Sequence, residues 1–413
     1  MSAFVIQNVR LFDGFRVHDG PCSVQVSEGK IERIESSSSL GTANRLSVID
    51  GSGCTLLPSL IDAHVHVFRG VDEVKRALAA GVTTLFDMHN TPSNATYMKD
   101  LSRQSNELPE VFSAFHAATV DGGWPRAIVR HTTDDPTILA SLADYPKLDT
   151  PRSAFEFVAK NKSMGADFIK LMQESAECLT FQELPAPSKE LQKAVIDAAK
   201  EHDLLTFAHA TNLRETLLVL DAGVSAMAHQ FFDQAHTEEV IASYKKTNAF
   251  VVPTLTAISS MMGLGTAKTW AGSAQADKLL TDSSRHLLCD CMRISSEGCS
   301  VQYAYRCVKA LKANGIDIIC GTDSGPTIHG TALGAAVHLE MALYVEHCAF
   351  TPVEALQSAT SLSAKRLRLA DRGVIASGKR ADLLLVRGNP TEDIKDSTNV
   401  EKVWKAGHLC NVH

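Results

Sequence analysis

Between residues 57 and 323 one pattern recurs: an apolar strand-like run, a polar residue near its end, a helix-like stretch, then a return to strand composition. Residues 59–67 open it. Residues 71–80 have helical character, Gly81 breaks them, and 82–87 restore strand composition. Further strand-like runs lie at 112–117, 168–172, 204–209, 226–229, 249–255 and 316–322. Helix-like segments at 154–162, 188–202 and 213–221 separate several of them. Alternation on this scale favours a parallel sheet covered by helices. A closed barrel fits better than an open nucleotide-binding sheet. No glycine-rich loop follows the first strand, and polar residues recur after several strands, as a site at a barrel mouth requires.

The two ends have a different texture. Residues 1–57 read as short strands at 4–9, 22–26, 31–34 and 46–49, with Gly20, Gly29, Gly51 and Gly53 between them. Residues 366–413 return to short strands at 381–386 and 402–405. The expected fold is α/β: a TIM-like (β/α)8 barrel over 58–365, with a small β-sandwich domain assembled from 1–57 and 366–413.

Composition excludes several classes of partner. The 413 residues are 45% hydrophobic, and 40 Lys plus Arg stand against 47 Asp plus Glu for a net charge of -7. That balance lacks the basic footprint of a nucleic-acid binder. No apolar run approaches the roughly eighteen residues of a membrane span. The first residues lack a basic leader followed by an apolar stretch, so a secretory signal is not expected. Ten cysteines in such a chain read as mostly free thiols in a reducing compartment, hence a cytoplasmic location. A homo-oligomer is compatible with the sequence, which assigns no interface.

The polar residues at the strand ends carry metal chemistry. His64 and His66, one residue apart on a strand, point to the same side. His209, His229 and Asp323 each follow an apolar run. Imidazoles with a carboxylate suit zinc, with manganese, cobalt or iron also open. Each residue alone has a plainer reading: a histidine satisfied in the core or a loop, an aspartate capping the turn after Gly321. Lys170 needs modification to ligate, because an ammonium has no lone pair. A carbamate made from its amine and carbon dioxide would offer negative oxygens and could bridge two cations. The alternative is a lysine that pairs with an anion at the barrel mouth.

Six segments, in order along the chain, carry a resemblance. They are residues 60–66 (Leu-Ile-Asp-Ala-His-Val-His), 165–170, 206–210, 226–229, 252–255 and 321–325 (Gly-Thr-Asp-Ser-Gly), followed by a terminal match at 373–383. The chain resembles the amidohydrolase superfamily, particularly its imidazolonepropionase-like and prolidase-like branch. The resemblance implies two divalent metals, one on His64 and His66 and the other on His209 and His229. It further implies a bridging carbamate on Lys170, with Asp323 binding metal and handling protons. Three positions depart from that branch. Gly122-Gly123-Trp124-Pro125 replaces a loop that often holds a histidine, Gln173-Glu174-Ser175-Ala176 replaces a glycine-rich loop, and Ala228-His229 replaces a Glu-His pair.

The expected function is hydrolysis of a small amide or peptide-like C–N bond by a metal-activated hydroxide, with Asp323 and Lys170 as the catalytic residues. Candidate substrate contacts are Phe68, Trp124 and Phe231 as an apolar wall and Arg69 or Arg126 as a carboxylate clamp. His116 and His329 are candidate proton shuttles. Two other readings stand beside this one: a metal-dependent nonoxidative decarboxylase, and a catalytically silent small-molecule binding protein.

Overall fold

The computed structural model describes residues 3–36, 46–68 and 70–411. The chain opens with five strands: β1 (Phe4–Leu11), β2 (Cys22–Ser27), β3 (Lys30–Ser36), β4 (Ser47–Asp50) and β5 (Cys54–Pro58). Seven parallel strands follow: β6 (Leu60–Val65), β7 (Val82–Asp87), β8 (Glu110–Ser113), β9 (Ile169–Met172), β10 (Thr206–His209), β11 (Ala226–Met227) and β12 (Phe250–Val251). β6 pairs with β7 and β7 with β8, while β9 to β12 pair in sequence order.

Three joints make this a TIM-like barrel. Ala118 N–H donates to the Lys170 carbonyl at 2.8 Å, extending the chain beyond β8 onto β9. Residues 316–324 supply the eighth stave. On one side Ile319 N–H donates to Val251 O at 3.0 Å, and on the other Asp323 N–H donates to His64 O at 2.8 Å. The run expected as a strand at 316–322 is thus in place, held by isolated bridges rather than a regular ladder. Gly321 lies where this stave crowds the first: a Cβ there would stand 2.3 Å from Val252 Cγ1 and 2.9 Å from His64 N. A side chain would push the stave off β6.

Helices cover the barrel as the rhythm predicts. Pro151–Met164 begins with Pro at its first turn under a Thr150 capping box and ends on left-handed Gly165, φ 98°. Lys189–Glu201 and Leu213–Ala222 are capped by Ser188 and Asn212. Each presents an apolar stripe to the strands and a polar one to water.

The ends meet in one eight-stranded sheet. β13 (Leu383–Arg387) pairs with β5, β14 (Val400–Lys405) with β13, and β15 (His408–Leu409) with β14. β5, which the sequence reading left unassigned, is the seam between the two ends of the chain. Three strand spacings separate β14 from β1 along the sheet, about 14 Å if it were flat. Phe4 and Trp404 nevertheless stack with centroids 5.7 Å apart, so the sheet curls over its own face in a sandwich-like fold. β13 explains its unbroken apolar sequence by having no wet face. Leu383 and Leu385 join the sheet's inner core, and Leu384 and Val386 join the barrel's. Among the described residues no helix is long and apolar enough to cross a membrane, and all ten cysteines are free thiols.

One buried cation ties sheet to barrel. Lys405, at the end of β14, donates to the carbonyls of Ser102, Ser105 and Leu108 at 2.7, 2.9 and 2.7 Å. Removing it strands three buried carbonyls. Lys405→Met is expected to lower stability by about 2–4 kcal/mol, seen as a lower urea midpoint. A wild-type midpoint would show that this clamp contributes nothing.

Candidate metal centre

His64 and His66 leave the C-terminal end of β6, and the closing stave delivers Asp323 between them. Asp323 Oδ1 lies 3.1 Å from His64 Nε2 and 3.0 Å from His66 Nε2. Their ligand atoms all fall within 4.8 Å of one another, the spacing a single cation needs. Asp323 adopts φ 57°, a left-handed conformation that aspartate tolerates better than most side chains. Below them the buried Asp62 carboxylate accepts from Thr322 N at 3.0 Å, Thr322 Oγ1 at 2.7 Å and His64 N at 3.2 Å. It staples β6 to the closing stave directly beneath the three residues.

The other candidates converge on the same cavity. His64, His66, Lys170, His209, His229 and Asp323 all line it. The His229 ring sits 4.8 Å from that of His64 and 4.6 Å from that of His209. Every proposed ligand of the sequence reading is therefore brought to one place.

Hydrogen bonds fix three of the rings. His64 Nδ1 meets the Ala228 carbonyl at 2.9 Å, so Nδ1 carries the proton and Nε2 presents a lone pair toward Asp323. His209 Nε2 donates to Glu174 Oε2 at 3.0 Å, which turns Nδ1 inward. His229 Nδ1 meets Thr254 Oγ1 at 2.8 Å, which leaves Nε2 for the cavity. Thr254 is itself left-handed, φ 54°, and the two residues after it donate to buried Glu340 through Leu255 N and Thr256 N, each at 2.8 Å.

Electrostatics matches this arrangement. Burial, helped by nearby Lys170, pushes His64 down to about 3, so its ring is neutral. Burial also lowers His209, against the pull of Glu174, and lowers His229 well below its ordinary value. Burial acts to raise Asp323, and charge on the neighbouring histidines, wherever one of them takes up a proton, draws the carboxyl well below its usual range. A neutral imidazole lone pair then faces a carboxylate at hydrogen-bond distance, and His64 Nε2 is buried with no hydrogen-bond partner. Two acceptors in contact need a proton or a metal ion shared between them. Lys170 Nζ is also buried without a hydrogen-bond partner, and burial pushes it down to about 7. The donor set therefore fits a metal, and the lysine fits an amine that is partly neutral near pH 7.

The Amidohydrolase family pattern matches residues 55–410. The chain belongs to the amidohydrolase family. This amidohydrolase is 36% identical over 96 residues to an imidazolonepropionase of Deinococcus deserti, 22% of this chain and 23% of the relative. It is 27% identical over 231 residues to ochratoxinase of Aspergillus niger, 54% of this chain and 41% of the relative. The matched stretches thus span less than half of either relative. In three dimensions it superposes on a Xaa-Pro dipeptidase crystallised with methionine in its active site, TM-score 0.76 and 25% identity over 99% of both chains. The fold is shared with molinate hydrolase, TM-score 0.76 at 18% identity over 100% of this chain and 95% of that one.

The expected substrate contacts divide. Phe68 stacks on His66 at 5.3 Å and Trp124 on His209 at 5.3 Å, and both line the cavity. His116 lines a neighbouring cavity of about 760 Å³, and burial pushes it down to about 4. Three expectations need correction. Arg126 is turned away from the cavity: it donates to the carbonyls of Val120, Tyr145 and Pro146 and lies over the Tyr145 ring, so it is not free to clamp a substrate carboxylate. Phe231 is fully buried in the core and does not line the cavity. His329 pairs with Asp290 at 3.0 Å, and its side chain is 40% exposed outside the cavity. Arg69 lies outside the described residues.

The sequence reading missed Glu174, and the departure from the branch at 173–176 was its only signal. Glu174 also accepts from Thr211 Oγ1 and Ala176 N, each at 2.7 Å, so it is rigid. A carboxylate behind a ligating histidine sets ring orientation and basicity. Glu174→Gln is expected to weaken metal binding about 10–100-fold in a folded protein, measured by competition with a chelator of known affinity. Unchanged affinity would mean that Glu174 does not govern His209.

Proposed function

We propose that this chain hydrolyses the C–N bond of a small amide or peptide-like molecule with two divalent metals, zinc favoured. The observation that carries this is the facing lone pair and carboxylate of His64 and Asp323, with the unpartnered Lys170 amine in the same cavity. His64, His66 and Asp323 would hold one ion. His209 and His229 would hold the other, and a carboxylated Lys170 would bridge them. When bound, such ions supply Lewis acidity and make a hydroxide available at neutral pH.

The chain's own groups do the rest. Asp323, kept as a carboxylate, takes the proton of the attacking water and passes it to the departing nitrogen. A C–O bond forms at the carbonyl carbon and the C–N bond breaks, releasing a carboxylic acid and an amine. Phe68 and Trp124 keep bulk water from the ligands they stack on. The ten free thiols support a reducing, cytoplasmic setting.

The test uses protein prepared with bicarbonate and zinc or manganese, metal counting, and a panel of amides, esters and carboxylates followed by mass spectrometry. Hydrolysis that falls about 10²–10⁴-fold in Asp323→Asn is expected. Carbon dioxide release without hydrolysis would select decarboxylation instead. Lys170→Ala that keeps two metals and full turnover would refute the bridge.

A further inference from the structure

His89, two residues beyond the end of β7, belongs to no role assigned so far. Its side chain is buried, 2% exposed, and lines the same cavity as the six proposed ligands. Ala117 N–H donates to its Nδ1 at 3.0 Å. Nδ1 is thereby an acceptor, so the ring proton sits on Nε2. That N–H is buried and has no hydrogen-bond partner. The ring is held by Ala117 N–H and packed edge-on to Tyr145 at 4.8 Å and against His116 at 5.8 Å. A buried, unsatisfied donor costs about 1–3 kcal/mol, and a ligand acceptor would recover it.

The remaining lining defines what surrounds that acceptor. Trp124, Ile128, Met172, Met261, Met292 and Ile294 form an apolar wall. Among the described residues lining the cavity there is no arginine, and Lys170 is the sole lysine. Arg126 nearby is held by backbone carbonyls. Among the described residues lining this cavity, a substrate carboxylate would find no counter-ion apart from the metal centre, and an unpaired buried charge is costly.

We infer that the substrate class is neutral amides carrying an apolar arm, with His89 Nε2–H donating to the carbonyl oxygen of the scissile bond. This rests on the hydrolase reading above and narrows it. The apolar wall receives the arm, and the fixed N–H registers the carbonyl against the metal centre. A donor aimed at that oxygen binds more strongly as charge develops on it, so it acts on turnover as well as on affinity.

The test compares two amides with the same aliphatic acyl group on the fully metallated enzyme. One carries an uncharged alkyl amine, the other an amino acid with a free carboxylate. Wild type is expected to favour the neutral amide. His89→Phe should lose about 10²–10³-fold in kcat/KM, with part of the loss in kcat, at unchanged metal content in the folded protein. His89→Gln, which restores an N–H, should recover part of it. Equal cleavage of both amides would overturn the apolar-substrate assignment. A fully active His89→Phe would overturn the donor role while leaving the hydrolase reading intact. Cleavage of neither amide by fully metallated wild type would overturn both.

Discussion

Closure of the barrel is the contact on which everything else rests. β6 and the stave at 316–324 are separated by most of the catalytic half of the chain, yet they share hydrogen bonds from Thr322 N and Asp323 N to His64 O. His66 N also donates to Ser324 O at 2.8 Å. This register fixes the Asp323 carboxylate against two imidazoles from the first strand. Gly321 permits the approach, and Asp62 locks it from beneath. A slip of one residue would turn Asp323 out of the mouth, because neighbouring side chains on a strand point to opposite faces.

The second layer of the design is polar and buried. His64, His209 and His229 each spend one ring nitrogen on a fixed partner: a carbonyl, a carboxylate and a hydroxyl. The other nitrogen is then committed to the cavity. Desolvation keeps these rings neutral, and a neutral ring is the form that can ligate. Holding so many acceptors together without a cation is unfavourable, which ties the polar core to the proposed metals. Left-handed backbone at Thr254 and Asp323 places both beside this centre, as strained residues at functional sites often are.

Much of this was legible in the sequence, for identifiable reasons. The two-residue period of a strand made the His64-His66 pair readable, and the apolar runs before His209, His229 and Asp323 marked strand ends. What escaped were partners brought together only by the fold. Glu174 reaches His209 across 35 residues, and Thr254 reaches His229 across 25. Glu340 sits on the helix Ala335–His347, whose sequence shows no polar face to explain it. Arg126, Phe231 and His329 were misplaced because composition near a loop does not say which way a side chain turns. β5 was missed because its two-sided burial depends on strands from opposite ends of the chain.

The most direct measurement is a crystal structure of the protein prepared with zinc and bicarbonate, with anomalous scattering collected at the zinc edge. The account predicts two anomalous peaks, one among His64, His66 and Asp323 and one at His209 and His229. It also predicts density for a carboxylated Lys170 between them. An unmodified Lys170 with no anomalous peak at the His64, His66 and Asp323 cluster would contradict it.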